Sequence, residues 1–202
     1  MFVLADLILI RHGQSVWNAE NRFTGWTDVD LSDRGVKEAE EAGIELRDQV
    51  IDVIHTSDLI RAKRTAEIVI LANVCSKETV TKSDWRLNER NYGSLQGLNK
   101  AETAEKHGAE QVQIWRRSFD VAPPEGESLE MTAKRTIPYF EEEIRPDLES
   151  GMSVLVSAHG NSLRSIVMHV EGISPNDIVS FEIQTGVPRY YDYSDGKLSL
   201  VD

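Results

Sequence analysis

The sequence predicts an α/β fold: a three-layer sandwich with a mostly parallel central sheet and helices on both faces, in a single domain over residues 1–202. Three observations predict it. Short β-branched apolar runs alternate with longer segments of helical periodicity. Two of those runs lack polar alternation, as central strands buried on both faces do. Both also end in the same way: "LILIRHGQS" delivers His12-Gly13-Gln14-Ser15, and "VLVSAHGNS" delivers His159-Gly160-Asn161-Ser162.

Taken in order, Val3–Ile10 reads as a buried strand ended by Gly13. Ser32 caps a helix with Val36, Ala39, Gly43, Leu46 and Val50 on one stripe. "DVIHTS" (Asp52–Ser57) is a second strand, followed by a helix from about Asp58 to Val74. "VTKSDW" (Val80–Trp85) is a weaker strand. Two polar helices are expected at Asn99–His107 and Glu110–Phe119, then a break at Pro123-Pro124. A longer helix starts at Ser128, and Pro138 should kink it or mark its true start. "MSVLVSA" (Met152–Ala158) is the clearest strand, and the segment after Gly160 is helical again. From Ile178 the tail reads as two or three strands, with a hairpin turn at Ser194-Asp195-Gly196-Lys197.

The chain carries 22 Lys and Arg against 34 Asp and Glu, a formal net charge of −12. That argues against nucleic acid or an anionic membrane as partner, since both want a basic face. A local cluster of arginines can still hold a small anion. Cys75 is the only cysteine, so no intramolecular disulfide forms, and a reducing cytoplasm is expected. No run reaches the roughly 18 apolar residues of a membrane span. Asp6 and Arg11 interrupt the N-terminus too early for a signal peptide. A soluble cytoplasmic protein is the expectation.

In a parallel sheet ligands bind beyond the carboxyl ends of the strands, so His12 and His159 should face one site. Arg11, Arg61, Glu89, Arg90, Tyr92, Lys100, Arg116 and Arg117 fall in the loops and helix starts nearby. Guanidinium groups suit phosphate or carboxylate oxygens, and glycines after the histidines let the backbone approach a ligand. Histidines among arginines make a poor metal site, because cations oppose a second positive centre, so no metal is expected. The residues suit nucleophilic attack by imidazole on phosphorus, with cations stabilising the equatorial oxygens and Glu89 handling a proton. Taken singly, each has an ordinary alternative: a hydrogen-bonded histidine, a solvated carboxylate, a wet helix face. Trp17, Trp26, Trp85 and Trp115 read as core or pocket walls and Cys75 as packing, while His55, His107 and His169 show no partners.

"RHGQSVWNAENRFTGWTDVDLSDRG", "TSDLIRAKRTA", "LNERNYGSLQGLNKAETAEKHG", "WRRSFDVAPP", "AHGNSLRS" and "TGVP" together resemble the cofactor-dependent phosphoglycerate mutases of the histidine phosphatase superfamily. The RHG word alone marks only the superfamily, whereas "NRFTGW", "LNERNYG", "GLNKAETAEK" and "WRR" are specific to the mutase branch. The resemblance implies a phosphoglycerate mutase-like fold with His12 as the phosphorylated nucleophile. Arg11, Asn18, Arg61 and His159 would hold the transferring phosphoryl group, and Glu89 would be the general acid/base. Thr24, Gly25, Arg90, Tyr92, Lys100, Arg116, Arg117, Gly160 and Asn161 would hold the rest of a phosphoglycerate. It further implies priming by 2,3-bisphosphoglycerate, no metal, and interconversion of 3- and 2-phosphoglycerate, small phosphorylated three-carbon acids. A homodimer or homotetramer is compatible with it, and the sequence does not choose.

Two departures from the family's pattern bear on chemistry. "PPEGESL" closes directly a gap that commonly holds an inserted segment, and the sequence stops at Asp202, where many mutases carry a further tail over the site. Less covering material favours water as acceptor, so the alternative expectation is a phosphomonoesterase of the same superfamily. A non-catalytic phosphate binder would not need His12, Glu89 and His159 together.

Overall fold

The computed structural model describes residues 4–76 and 78–201. Strands β1 (Leu4–Arg11), β2 (Val53–Thr56), β3 (Val80–Ser83), β4 (Val154–Ala158), β5 (Pro188–Ser194) and β6 (Lys197–Leu200) share one sheet, ordered β3-β2-β4-β1-β5-β6. The first four pair in parallel, and β5 and β6 add antiparallel at one side. The α/β layering is as expected.

The apolar runs are explained by their two faces. Leu7, Leu9, Val154 and Val156 point into one core, while Ile8, Ile10, Ile54 and Leu155 point into the other. Burying each such side chain contributes about 1.5–3 kcal/mol before entropy is counted. Helices α1 (Val16–Ala19), α2 (Asp33–Glu45) and α3 (Ile60–Ala72) follow β1 and β2, and α2 and α3 cover the second core. Helices α4 (Lys100–His107) and α5 (Ala109–Arg117) form a polar pair beyond β3. The first core is covered by α6 (Leu129–Tyr139), α7 (Arg145–Glu149) and α8 (Gly160–Glu171), with the short α9 (Pro175–Ile178) after them.

Several boundaries differ from expectation for local reasons. Val3 lies outside the described residues. The stripe on α2 stops at Leu46, and Val50 is exposed in the connection to β2. Pro138 neither starts nor ends its helix. It sits on the exposed face of α6, as does Lys134, whose carbonyl loses its partner and can turn to water. The helix continues through a π-turn at Phe140–Ile144 into α7. Strand structure in the tail begins at Pro188 rather than Ile178, because the preceding segment crosses the carboxyl end of the sheet. There Gly186 N–H donates to Arg11 O (2.9 Å) and Arg11 donates to Ile183 O (2.9 Å). The hairpin turn stands as read, with Asp195 and Gly196 both at positive φ. Trp85 is half exposed and Cys75 is exposed, so neither is core packing. His55 does have partners: it is buried between the Tyr139 hydroxyl (2.8 Å) and the Asp147 carboxylate (2.8 Å).

The loop after β1 is seated on the start of α2 by two glycines. A Cβ on Gly13 would lie 2.1 Å from Gly35 O, and one on Gly35 would lie 2.0 Å from Gln14 O. Backbone cannot yield as a side chain tip can. Gly35→Ala is therefore expected to destabilise the fold by about 2–3 kcal/mol, as overpacking does. Chemical denaturation checks this, and the same variant should lose anion affinity at His12 because the loop must move.

Candidate active site

The register of β1 on β4 builds the centre of the site. Arg11 pairs with Ala158, and His12 N–H donates to Ala158 O (3.0 Å), so the next residues on each strand, His12 and His159, emerge side by side. Their ring centroids lie 4.9 Å apart, edge to face. His12 Nδ1 is 2.6 Å from Gly13 O. A carbonyl only accepts, so Nδ1 carries the proton and Nε2 keeps its lone pair for attack. The His159 ring is anchored from β2's end, Nε2 lying 2.7 Å from Ser57 Oγ.

Around His12 opens a cavity of about 240 Å³. Arg11, Asn18, Thr24, Gly25, Arg61, Glu89, Tyr92, Lys100, Arg116, Arg117, Gly160 and Asn161, all expected at the site, line it. His159 is buried behind His12 rather than on the wall. Arg90 does not reach the cavity. It is fully buried, stacked on the Tyr92 ring at 4.8 Å, and donates to Tyr92 Oη (3.0 Å) and Arg116 O (2.6 Å), so it supports two wall residues. Sequence reasoning missed four lining residues: Arg22, Phe23, Arg164 and Glu182. Arg22 and Phe23 lie inside the quoted "NRFTGW", and Arg164 inside "HGNSLRS". Glu182 pairs with Arg117 and had no local signal.

Arg11 and Arg61 are held without an ion-pair partner among the described residues, whereas Arg22 pairs with Glu20 (2.8 Å) and Arg117 with Glu182. Arg61 donates to Thr27 O (3.0 Å) and Gly25 O (2.7 Å), both uncharged acceptors. Burial lowers its pKa to about 10, with Glu89 and Asp28 opposing, so it stays charged at neutral pH. Arg11 Nε, Thr24 Oγ1, Arg61 Nε, Arg117 NH1 and His159 Nδ1 are buried without a hydrogen-bond partner among the described residues. Polar atoms in that state are costly, and five of them around one cationic cavity fit an anion with several oxygens.

Glu89 is the carboxylate of the site. Burial alone would raise its pKa, but the Arg90 N–H, the Asn161 amide and the Arg11 and Arg61 charges together hold it below the ordinary value. Its Oε1 accepts from Arg90 N (2.7 Å), Asn161 N (3.1 Å) and Asn161 Nδ2 (2.8 Å). Oε2 has no such partner among the described residues, which leaves it for proton transfer. Arg135, missed by sequence reasoning, fixes the loop beneath by donating to Arg86 O (2.8 Å), Asn88 O (2.9 Å) and Glu89 O (2.9 Å). It shares the buried face of α6 with Leu129, Thr132, Ala133, Thr136 and Tyr139, a mixed face that gives no local signal.

Burial and the Arg61 and Arg11 charges push the pKa of His12 well below 6.5, and burial, Arg61 and His12 do the same to His159. Both rings are thus neutral when folded. On unfolding they regain the ordinary value, so the unfolded chain binds more protons below pH 6.5. Stability is whole above that pH and declines as pH falls below it, by up to about 1.4 kcal/mol per pH unit for each ring. Urea midpoints across this range check the decline, and the double variant His12→Asn, His159→Asn should make it shallower, leaving the part due to His55, whose pKa burial also lowers.

Residues 7–202 match the histidine phosphatase superfamily (branch 1). A 2,3-bisphosphoglycerate-dependent phosphoglycerate mutase of Cytophaga hutchinsonii is 52% identical, over 96% of this chain and 90% of that protein. The enzyme of the same name from Protochlamydia amoebophila is 49% identical, over 95% of this chain and 96% of that one. Among solved structures, YhfR of Bacillus stearothermophilus superposes with a TM-score of 0.84 at 25% identity, covering 97% of this chain and 95% of that one. The strand-end histidine pair, the cationic cavity and this identity along nearly the whole chain place the protein in the histidine phosphatase superfamily, within its 2,3-bisphosphoglycerate-dependent phosphoglycerate mutases.

Proposed function

We propose that this chain, as one domain, interconverts 3-phosphoglycerate and 2-phosphoglycerate through a phosphohistidine at His12. The observation that carries the reading is the set of unpartnered buried donors around His12 inside a cavity lined by six further cations besides Arg11. One phosphoryl group needs fewer, and a second anionic group on the same small acid accounts for Arg22, Lys100, Arg116 and Arg117 on the cavity wall. The same two-ended cavity fits 2,3-bisphosphoglycerate, which when bound supplies the phosphoryl group that loads His12.

His12 Nε2 attacks phosphorus in line, its position set by β1 and its other nitrogen tied to Gly13 O. Arg11, Arg61 and His159 stabilise the equatorial oxygens as charge redistributes. Glu89 Oε2 takes the proton from the attacking substrate hydroxyl and returns it in the reverse direction. The acceptors are small phosphorylated acids, with no nucleic acid or membrane partner, in keeping with the net charge of −12. Among the described residues no helix is long and apolar enough to cross a membrane, and no three metal-ligating side chains cluster. The cytoplasm remains the compartment we assign.

Phosphorus NMR tests the reading with 3-phosphoglycerate, with and without trace 2,3-bisphosphoglycerate, in EDTA. Conversion to 2-phosphoglycerate that needs the bisphosphate and survives EDTA is expected. Accumulating inorganic phosphate would instead make the chain a phosphomonoesterase. His12→Ala should abolish both turnover and acid-labile protein phosphate, and full activity in that variant would overturn the mechanism.

A further inference from the structure

We propose that Arg164 is a positioning residue for the proton-transfer carboxylate: its guanidinium holds the Asn161 amide in the one orientation that turns Nδ2, rather than Oδ1, to Glu89. The consequence for turnover rests on the mutase reading above; the geometry does not.

Arg164 lies three residues after Asn161 on α8, so the two side chains share a face of the helix. It is 8% exposed and touches the cavity, but its Nε and NH1 both donate to protein groups. Nε donates to Phe181 O (2.7 Å), NH1 donates to Asn161 Oδ1 (3.2 Å), and NH2 faces the Glu182 carboxylate at 3.8 Å. On the other side of the amide, Asn161 Nδ2 donates to Glu89 Oε1 (2.8 Å). The chemistry of the two neighbours leaves no choice of orientation. A guanidinium can only donate and an ionised carboxylate can only accept. Reversing the amide would set N–H groups against N–H groups and an oxygen against a carboxylate oxygen, replacing two attractive contacts by two repulsive ones. The arrangement runs Glu182, Arg164, Asn161, Glu89, with each donor facing an acceptor.

What this does to Glu89 follows from its surroundings. Facing it are Arg11 from β1, Arg61 from α3, Lys100 from α4, Arg90 and Tyr92 from its own loop, and Arg164 from α8. Arg11, Arg61 and Arg90 also serve ligand binding or wall support. Arg164 makes no hydrogen bond to the carboxylate and acts on it by its charge and through the Asn161 amide. Without it, the amide is held by Glu89 alone and is no longer polarised from its Oδ1 side, the Nδ2–Oε1 hydrogen bond weakens, and the carboxylate holds its proton more tightly.

The experiment is a carbon-13 NMR titration of the Glu89 carboxyl in the wild-type chain, in Arg164→Met and in Arg164→Lys, assigned with Glu89→Gln. The Met variant is expected to titrate at higher pH than wild type and the Lys variant, which keeps a donor, between the two. In turnover, kcat of the Met variant should fall roughly tenfold, the scale of one hydrogen bond to a charged group, with KM changed less and the acid limb of the pH profile moved up. A folded Met variant with an unmoved Glu89 titration overturns the proposal and reduces Arg164 to an anchor for the tail. Should the Met variant not fold, Arg164→Gln serves: it keeps a neutral donor but loses the charge, so a smaller shift in the same direction is expected, and an unmoved titration overturns the proposal. A shifted titration in a chain that makes no 2-phosphoglycerate would sink the mutase reading and leave this one standing.

Discussion

The parallel pairing of β1 with β4 is the constraint on which everything else depends. With Arg11 opposite Ala158, both strands end at the same level and both histidines leave the sheet together. A shift of one residue would turn Ile8 and Ile10 to the face now filled by Leu7 and Leu9, and would separate the rings. The two cores enforce the register, so the hydrophobic effect, which knows nothing of chemistry, places the nucleophile. Beyond that level the glycines carry the load: Gly13 and Gly35 let the His12 loop sit directly on α2.

Electrostatics then divides a strongly acidic protein into regions of opposite character. The net charge is −12, yet the cavity walls carry seven cations against Glu89 and Glu182. Arg11 and Arg61 are kept in place by backbone carbonyls, which position a guanidinium without neutralising it. Burial, aided by the same field, keeps His12 and His159 unprotonated, which is the state a nucleophile needs. Burial works in opposite directions on the two kinds of group. It leaves the imidazoles neutral, while Glu89 stays ionised only because donors and cations outweigh its desolvation.

The loop bearing Glu89 has no regular structure around that residue, so other groups must hold it. Arg135 takes three of its carbonyls, Trp26 Nε1 donates to Glu89 O (2.6 Å), and the short connection after Pro123 is laced to the neighbouring turn. There Glu127 N–H donates to Asn91 O (2.8 Å) and Ser94 N–H to Pro124 O (3.0 Å). A Cβ on Gly93 would lie 2.1 Å from Pro124 O, so this contact too depends on a glycine. The abbreviated connection thereby serves as a brace for the Tyr92 wall.

The sequence by itself determined the layered fold, the strand-end histidines and most of the cavity wall, because these rest on local pattern. Alternation and burial set the strands, Ser32 and Ser128 cap their helices, and the echoed HG words mark both strand ends. The quoted family motifs supplied Asn18, Thr24 and Gly25, which no periodicity would have singled out. Tertiary structure alone decided which polar residues face the ligand and which face one another. Arg90 and Tyr92 are two positions apart, yet one is buried support and the other is wall. Arg135 and Glu182 gain their roles from partners tens of residues away, and His55 from a tyrosine and an aspartate on the facing helix layer. The physical reason is range. Helix, strand and cap propensities act over a few residues, whereas a buried charge is satisfied by whatever the folded chain brings within about 3 Å, and that depends on every contact at once.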